Sequence, residues 1–169
     1  MATQRNPSPE KPNGIRAVGI LVHEGNVLLM RREHDGREYY TFPGGGVEDG
    51  ESIEEAVVRE LFEETQIRVV IKRLLYHHDL IGDSDQYFFE CEYRSGTPTL
   101  GGEEREETLR GDIHEPLWVL LARLSSLILY PLDVCDWLVE DIKHGFPIQP
   151  RHLQVRPNEL RQANDTFSA

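Results

Sequence analysis

Apolar residues recur along this chain in two rhythms. From Ile15 to Val22 they run almost without a break, a pattern that predicts a buried strand. His23-Glu24-Gly25-Asn26 then reads as a turn, and Val27-Leu28-Leu29-Met30-Arg31-Arg32 as the returning strand. A second turn, Glu33 to Arg37, carries Asp35-Gly36, and Tyr39-Tyr40-Thr41-Phe42 is β-prone as far as Pro43. Residues 67–81 and 86–93 also predict strands. In the latter, Tyr87, Phe89, Cys91 and Tyr93 alternate with Phe88, Glu90 and Glu92. Trp118-Val119-Leu120-Leu121 adds a short one.

The second rhythm is helical. Ser52, with Glu55 three residues later, forms the sequence signature of a capping box, and no breaker follows until about Gln66. At about 100° per residue, Ile53, Ala56, Val57 and Leu61 fall on one apolar stripe. Glu60 and Glu64 fall inside that stripe, Glu63 at its edge, and Glu54 and Glu55 off it. Pro131 opens a second helix, to about His144. Strands on both sides of a central helix, with a helix at the end, predict a mixed α/β domain and leave the sheet order open.

This domain is expected over residues 14–144. Residues 1–13, with three prolines, read as a flexible N-terminal segment. Residues 145–169, also with three prolines and few apolar positions, read as a C-terminal tail, either an extended arm or disordered. Residues 95–116 read as a long polar loop containing the acidic run Glu103-Glu104-Arg105-Glu106-Glu107, and loops of that length are often functional.

Composition narrows the partners. A chain of 169 residues, 38% hydrophobic and 28% charged, suits one soluble domain. The net charge of −12 argues against a nucleic acid duplex as partner, since polyanions are bound by basic surfaces. A small phosphorylated substrate stays open, because a divalent cation reverses the local field. No apolar run approaches the roughly 20 residues that cross a bilayer, so no membrane partner is expected. The opening residues lack the apolar core of a signal peptide, which makes the cytoplasm the expected location. Cys91 and Cys135 lack metal-ligand spacing and sit in apolar segments, as buried reduced thiols do. His77 and His78 are neighbours on a strand and point to opposite faces, which fits surface or core residues better than a ligand pair.

The chemistry concentrates in the first helix. Glu60, Glu63 and Glu64 are directed toward the protein, where clustered carboxylates repel and lose hydration unless a cation neutralises them. Hard oxygen ligands point to Mg²⁺, with Mn²⁺ as a substitute. Without other signals, a charged helix with Arg59 paired to a neighbouring acid is the simpler account. Gly44-Gly45-Gly46 changes that balance, because glycine lets backbone approach metal and phosphate closely at a fixed distance before the acidic helix.

The segment from Gly45 to Ile67 resembles the Nudix box. Gly45, Glu51, Arg59, Glu60, Leu61, Glu63, Glu64 and Ile67 match its pattern, and Gln66 stands where the family has a glycine. That departure falls at the helix end, where it implies a capping cost of up to about 1 kcal/mol. The Phe-Pro-Gly-Gly approach, the Trp-Val segment and the Tyr-Pro before the last helix are similar to the family as well. The resemblance implies an α/β/α sandwich with a mixed sheet, and hydrolysis of a nucleoside diphosphate linked to some group X. It implies Glu60, Glu63, Glu64 and the Gly44 carbonyl as ligands of Mg²⁺ or Mn²⁺. Arg59 would orient the glutamates, and Glu51 would be its partner at the start of the helix. The general base is implied to be a box glutamate or a downstream acid, with Glu104 the candidate and Glu103, Glu106 and Glu107 its rivals. A homodimer is also admitted.

The resemblance leaves X open. No proline stands between Ile67 and Pro98, where ADP-ribose hydrolases of the family often carry one. Tyr87 comes late for the tyrosine of dinucleoside polyphosphate hydrolases, and the coenzyme A and NADH signatures are absent. A nucleoside triphosphate or a nucleotide-sugar-like diphosphate is the expected substrate. Tyr40, Phe42 and Tyr87 are candidates to stack on a base, although strand aromatics are usually core. A nucleotide-sensing module without turnover is the alternative, and the retained glutamates disfavour it. An isoprenoid diphosphate isomerase would need a cysteine near the glycine turn.

Overall fold

The computed structural model describes residues 14–101 and 113–159. The apolar run forms strand β1 (Gly14–His23), which turns back into β2 (Asn26–His34); β3 (Arg37–Thr41) and the short β4 (Gly44–Gly46) follow. Helix α1 (Ile53–Thr65) precedes the long antiparallel pair β5 (Arg68–Leu80) and β6 (Ser84–Ser95). Then come β7 (Ile113–Leu120), a 3₁₀ turn, β8 (Leu129–Tyr130), helix α2 (Leu132–His144) and β9 (Arg151–Val155).

The nine strands make one mixed, curled sheet in two halves. One half runs β4–β1–β6–β5–β9, with β1 parallel to β6 and β5 parallel to β9. The other runs β7–β2–β3–β8, and the β1–β2 hairpin joins them. The period of two along β1 divides the core: Ala17 and Leu21 pack with Ala56, Val57 and Leu61 of α1, while Val18 and Ile20 pack with Val134, Cys135 and Leu138 of α2. The expected α/β fold with a mixed sheet is the fold observed.

Helix α1 is bounded as its sequence predicts. Ser52 Oγ accepts from the Glu55 N–H at 3.1 Å and Glu55 accepts from the Ser52 N–H at 2.8 Å, completing the capping box. At the other end Gln66 takes the left-handed conformation, φ 60°. Its side-chain amide donates to the Phe62 carbonyl at 2.9 Å, which the Gln66 backbone N–H also reaches, and at 3.4 Å to the Glu63 carbonyl, one of the acceptors that a helix end leaves over. The glutamine thereby returns part of what the missing glycine costs.

Two boundaries differ from the sequence reading. Residues 113–116, expected within the loop, begin β7, whose Pro116 pairs with Met30. Among the described residues β7 pairs with β2 alone, and proline is tolerated in an edge strand. In the expected tail, β9 docks on β5, and Arg151 donates through Nε to Asp141 at 3.2 Å. Asp141 is buried and also accepts from the Tyr76 hydroxyl at 2.9 Å, so a compensated charge ties β9 to α2.

Candidate active site

The amphipathic pattern of α1 sets how far each carboxylate reaches into the protein. The Glu64 side chain is 5% exposed, Glu60 15% and Glu63 53%, in the order in which they approach the apolar stripe. Arg59 ties the group together. It donates to Glu51 through Nε and Nη2 at 3.1 and 2.6 Å, to Glu60 at 2.9 Å and to Glu63 at 3.1 Å. A further bond, 2.9 Å, reaches the Gly46 carbonyl and fixes the glycine strand against the helix. Hydrogen bonding to Glu51 raises the Arg59 pKa against the effect of burial, with Glu60 and Glu63 adding to it. The same Arg59 bonds, together with the Glu48 N–H, hold the Glu51 carboxyl below its ordinary range.

The glycines act by close approach. A Cβ on Gly45 would overlap the Glu60 carboxylate, and one on Gly44 would overlap the backbone of Ala17 and Val18. Gly44 donates its N–H to Glu64 at 2.9 Å and accepts from Arg16 at 3.1 Å. Arg32 brings a second cation, its Nη2 4.0 Å from Glu64.

Arg16, Arg32, Gly44, Gly45, Glu60 and Glu64 line a cavity of about 480 Å³. Val18, Phe42, Gln86 and Phe88 line it as well, with Tyr39, Tyr130 and Pro131. The lining therefore brings carboxylates and two arginines together with aromatic rings and one amide, a combination that suits a phosphorylated molecule carrying a flat ring.

Of the residues expected from the sequence, Gly44, Glu60 and Glu64 meet at this cavity, and Glu63 stands beside them on Arg59. Glu104 and its rivals lie outside the described residues. Among the described residues no three His, Cys, Asp or Glu side chains close around one point, because Glu60 and Glu63 share Arg59 while Glu64 turns to the Gly44 N–H. Tyr40 is core, and Tyr87 stacks on His77 with ring centres 4.3 Å apart, apart from the cavity residues. Phe42 is buried in the core and also borders the cavity. His77 and His78 do face opposite ways, and His78 is fully buried. Both cysteines are buried thiols outside any disulfide, and burial pushes the Cys91 thiol up to about 12, far from nucleophilic.

Sequence reasoning missed Arg16, Arg32, Gln86, Tyr39, Tyr130 and Pro131. One signal was available: Leu28, Met30 and Arg32 share a strand face, so an arginine ends a buried row. The others come together only through the sheet order.

Residues 14–133 match the NUDIX domain family. An RNA pyrophosphohydrolase from Shewanella frigidimarina is 48% identical over 59 residues, 33% of either chain. An ADP-ribose pyrophosphatase from Methanocaldococcus jannaschii is 43% identical over 58 residues, 34% of either chain. The chain thus spans about a third of the length of these curated relatives. The fold is similar to a NUDIX hydrolase structure from Nitrosomonas europaea, with a TM-score of 0.69 and 20% identity, covering 87% of this chain and 81% of that one. Among the described residues no helix is long and apolar enough to cross a membrane.

Proposed function

The chain belongs to the NUDIX family, and on that premise we propose that it hydrolyses a pyrophosphate bond in a small nucleotide, a nucleoside diphosphate linked to a further group. The observation that carries this reading is the Arg59 cluster, which holds Glu60 and Glu63 beside the buried Glu64 at the mouth of a cavity that also contains Arg16 and Arg32. Relatives named for RNA and for ADP-ribose substrates share only the phosphoric anhydride, which supports the bond type rather than the leaving group.

The donor set suits Mg²⁺, or Mn²⁺ in its place: Glu60, Glu63 and Glu64 supply hard oxygens, and the Gly44 carbonyl keeps a lone pair beyond the one that Arg16 engages. Bound there, a divalent ion supplies positive charge to the phosphate oxygens and acidity to a coordinated water. The protein's own part is positioning. Arg59 holds Glu60 and Glu63, Arg16 and Arg32 meet the phosphates, and Tyr39, Phe42 and Tyr130 receive the base beside Gln86. Water oxygen adds to phosphorus, the bridging oxygen leaves, and a carboxylate accepts the water proton. Glu60, Glu63 and Glu104 are the candidates for that last role. The substrate that suits this lining is a nucleoside triphosphate or a nucleotide-sugar-like diphosphate. We place the protein in the cytoplasm, where Cys91 and Cys135 remain reduced.

A screen of nucleoside triphosphates, ADP-ribose, nucleotide sugars and dinucleoside polyphosphates with Mg²⁺ or Mn²⁺, scored by phosphate and nucleotide release, tests the proposal. Turnover of at least one class is expected. Tight nucleotide binding with no turnover would replace the enzyme with a sensing module.

A further inference from the structure

His78 is fully buried, and neither of its ring nitrogens has a hydrogen-bond partner among the described residues. Buried polar groups are nearly always paired, so this ring calls for an explanation. It lies on β5 in register with Gln86 of β6, which lines the cavity beside Glu60 and Glu64, and with Leu153 of β9. Facing it from α2 is Asp133, whose Oδ2 is 3.9 Å from Nε2, about 1 Å beyond hydrogen-bond distance. The other charged or titratable groups acting on it are Asp79 and His77, which leave β5 by the opposite face. Asp133 is the second residue of α2; Pro131, the residue that caps this helix, lines the cavity together with Tyr130.

We propose that His78 and Asp133 form a pH-sensitive joint between β5 and α2, set behind the Tyr130–Pro131 side of the cavity. While the ring is neutral the two groups stay apart. A proton from solvent gives the ring a second N–H and a positive charge, and Asp133 then closes on it in a charge-assisted hydrogen bond. The first turn of α2 moves with Asp133, and Tyr130 and Pro131 move with that turn, so nucleotide affinity follows the charge on His78. Taking the cavity as a nucleotide site rests on the hydrolase reading above; the joint itself does not. Burial holds the His78 pKa below the ordinary histidine value, and Asp133 draws it part of the way back. The unfolded chain therefore takes up the proton first, and stability falls as pH drops from the ordinary histidine value through the folded one.

NMR titration of the whole chain from about pH 8 to about pH 5 tests the joint, with the His78 ring signals identified by their loss in His78→Gln. The ring should titrate with a midpoint below the ordinary 6.5, and the backbone amides of Leu132, Asp133 and Val134 should shift with the same midpoint. Asp133→Asn should lower that midpoint, because it removes the carboxylate that receives the charged ring. ADP with Mg²⁺, followed by calorimetry, tests the link to the cavity. Its affinity should change about fivefold more across the midpoint in the parent than in Asp133→Asn. A ring that stays neutral throughout, or a midpoint that Asp133→Asn leaves in place, would overturn the proposal. So would the same pH dependence of ADP binding in parent and variant. Asp133 is partly exposed, so Asp133→Asn keeps the test decisive even if His78→Gln fails to fold. ADP that binds at no pH, with the joint titrating as expected, would sink the nucleotide reading of the cavity while supporting the joint.

Discussion

Gly45→Ala separates folding from chemistry at this site. Gly45 lies on β4 outside the left-handed region, so alanine meets no backbone strain there. Such a replacement in a strand gains about 0.5–1 kcal/mol, chiefly from a less free unfolded chain. The three atoms nearest the added Cβ all belong to the Glu60 carboxylate, the far end of a flexible side chain. Restoring ordinary contact moves that carboxylate by about 1 Å, off the 2.9 Å bond from Arg59 and out of line with Glu64. A displacement of about 1 Å at a reacting centre can cost a hundredfold in rate, equivalent to about 2.7 kcal/mol of transition-state stabilisation. Gly45→Ala is therefore expected to unfold in urea within about 1 kcal/mol of the parent while kcat/KM falls about a hundredfold. Gly44→Ala provides the contrast: there the Cβ meets the Ala17 and Val18 backbone, at φ 154°, and nothing can retreat. It should lose about 2 kcal/mol or more of stability. Parental activity in Gly45→Ala would show that the placement of Glu60 is not needed, and a stability loss matching Gly44→Ala would refute the argument from flexibility.

The other expectations are simpler to check. Glu63→Gln, at a half-exposed position, should leave the melting temperature nearly unchanged and abolish most turnover; surviving activity would remove Glu63 from the metal-binding set. Gln66→Gly relieves a left-handed residue at a cost of one side-chain bond to Phe62, so urea unfolding should shift by less than about 1 kcal/mol in either direction. Acid should weaken the fold through Glu51 and Glu38, whose folded pKa values are depressed by hydrogen bonds from Arg59 and from Arg31 respectively. Their contribution is complete above the ordinary carboxylate range, about pH 4.5, and is lost as pH falls through the lower folded values. Arg59→Met should flatten that acid limb in a urea series, and an unchanged slope would contradict the assignment.

Local signals account for what the sequence alone made legible. Ser52 and Glu55 mark the start of α1 because a cap is satisfied within four residues, and the stripe of Ala56, Val57 and Leu61 sets which face is buried. Once that face is known, the inward turn of Glu60 and Glu64 follows from helical geometry. The alternation around Phe88 to Tyr93 marked β6 for the same reason, since each residue's face depends only on its neighbours.

The rest required the chain to return on itself. Nothing local indicates that β1 runs parallel to β6, yet that pairing sets Gln86 opposite Arg16 at the cavity. Tyr130 and Pro131 line it because β8 pairs with β3, and Arg32 meets His114 because β7 pairs with β2. Arg151 gave no sign, as a tail residue, that it would neutralise the buried Asp141. The carboxylates of the site are thus written into one helix by its period. The arginines and aromatic walls that complete it are supplied by hydrogen-bonded strand order, which pairs segments according to complementarity across the whole core rather than to any residue's near neighbours.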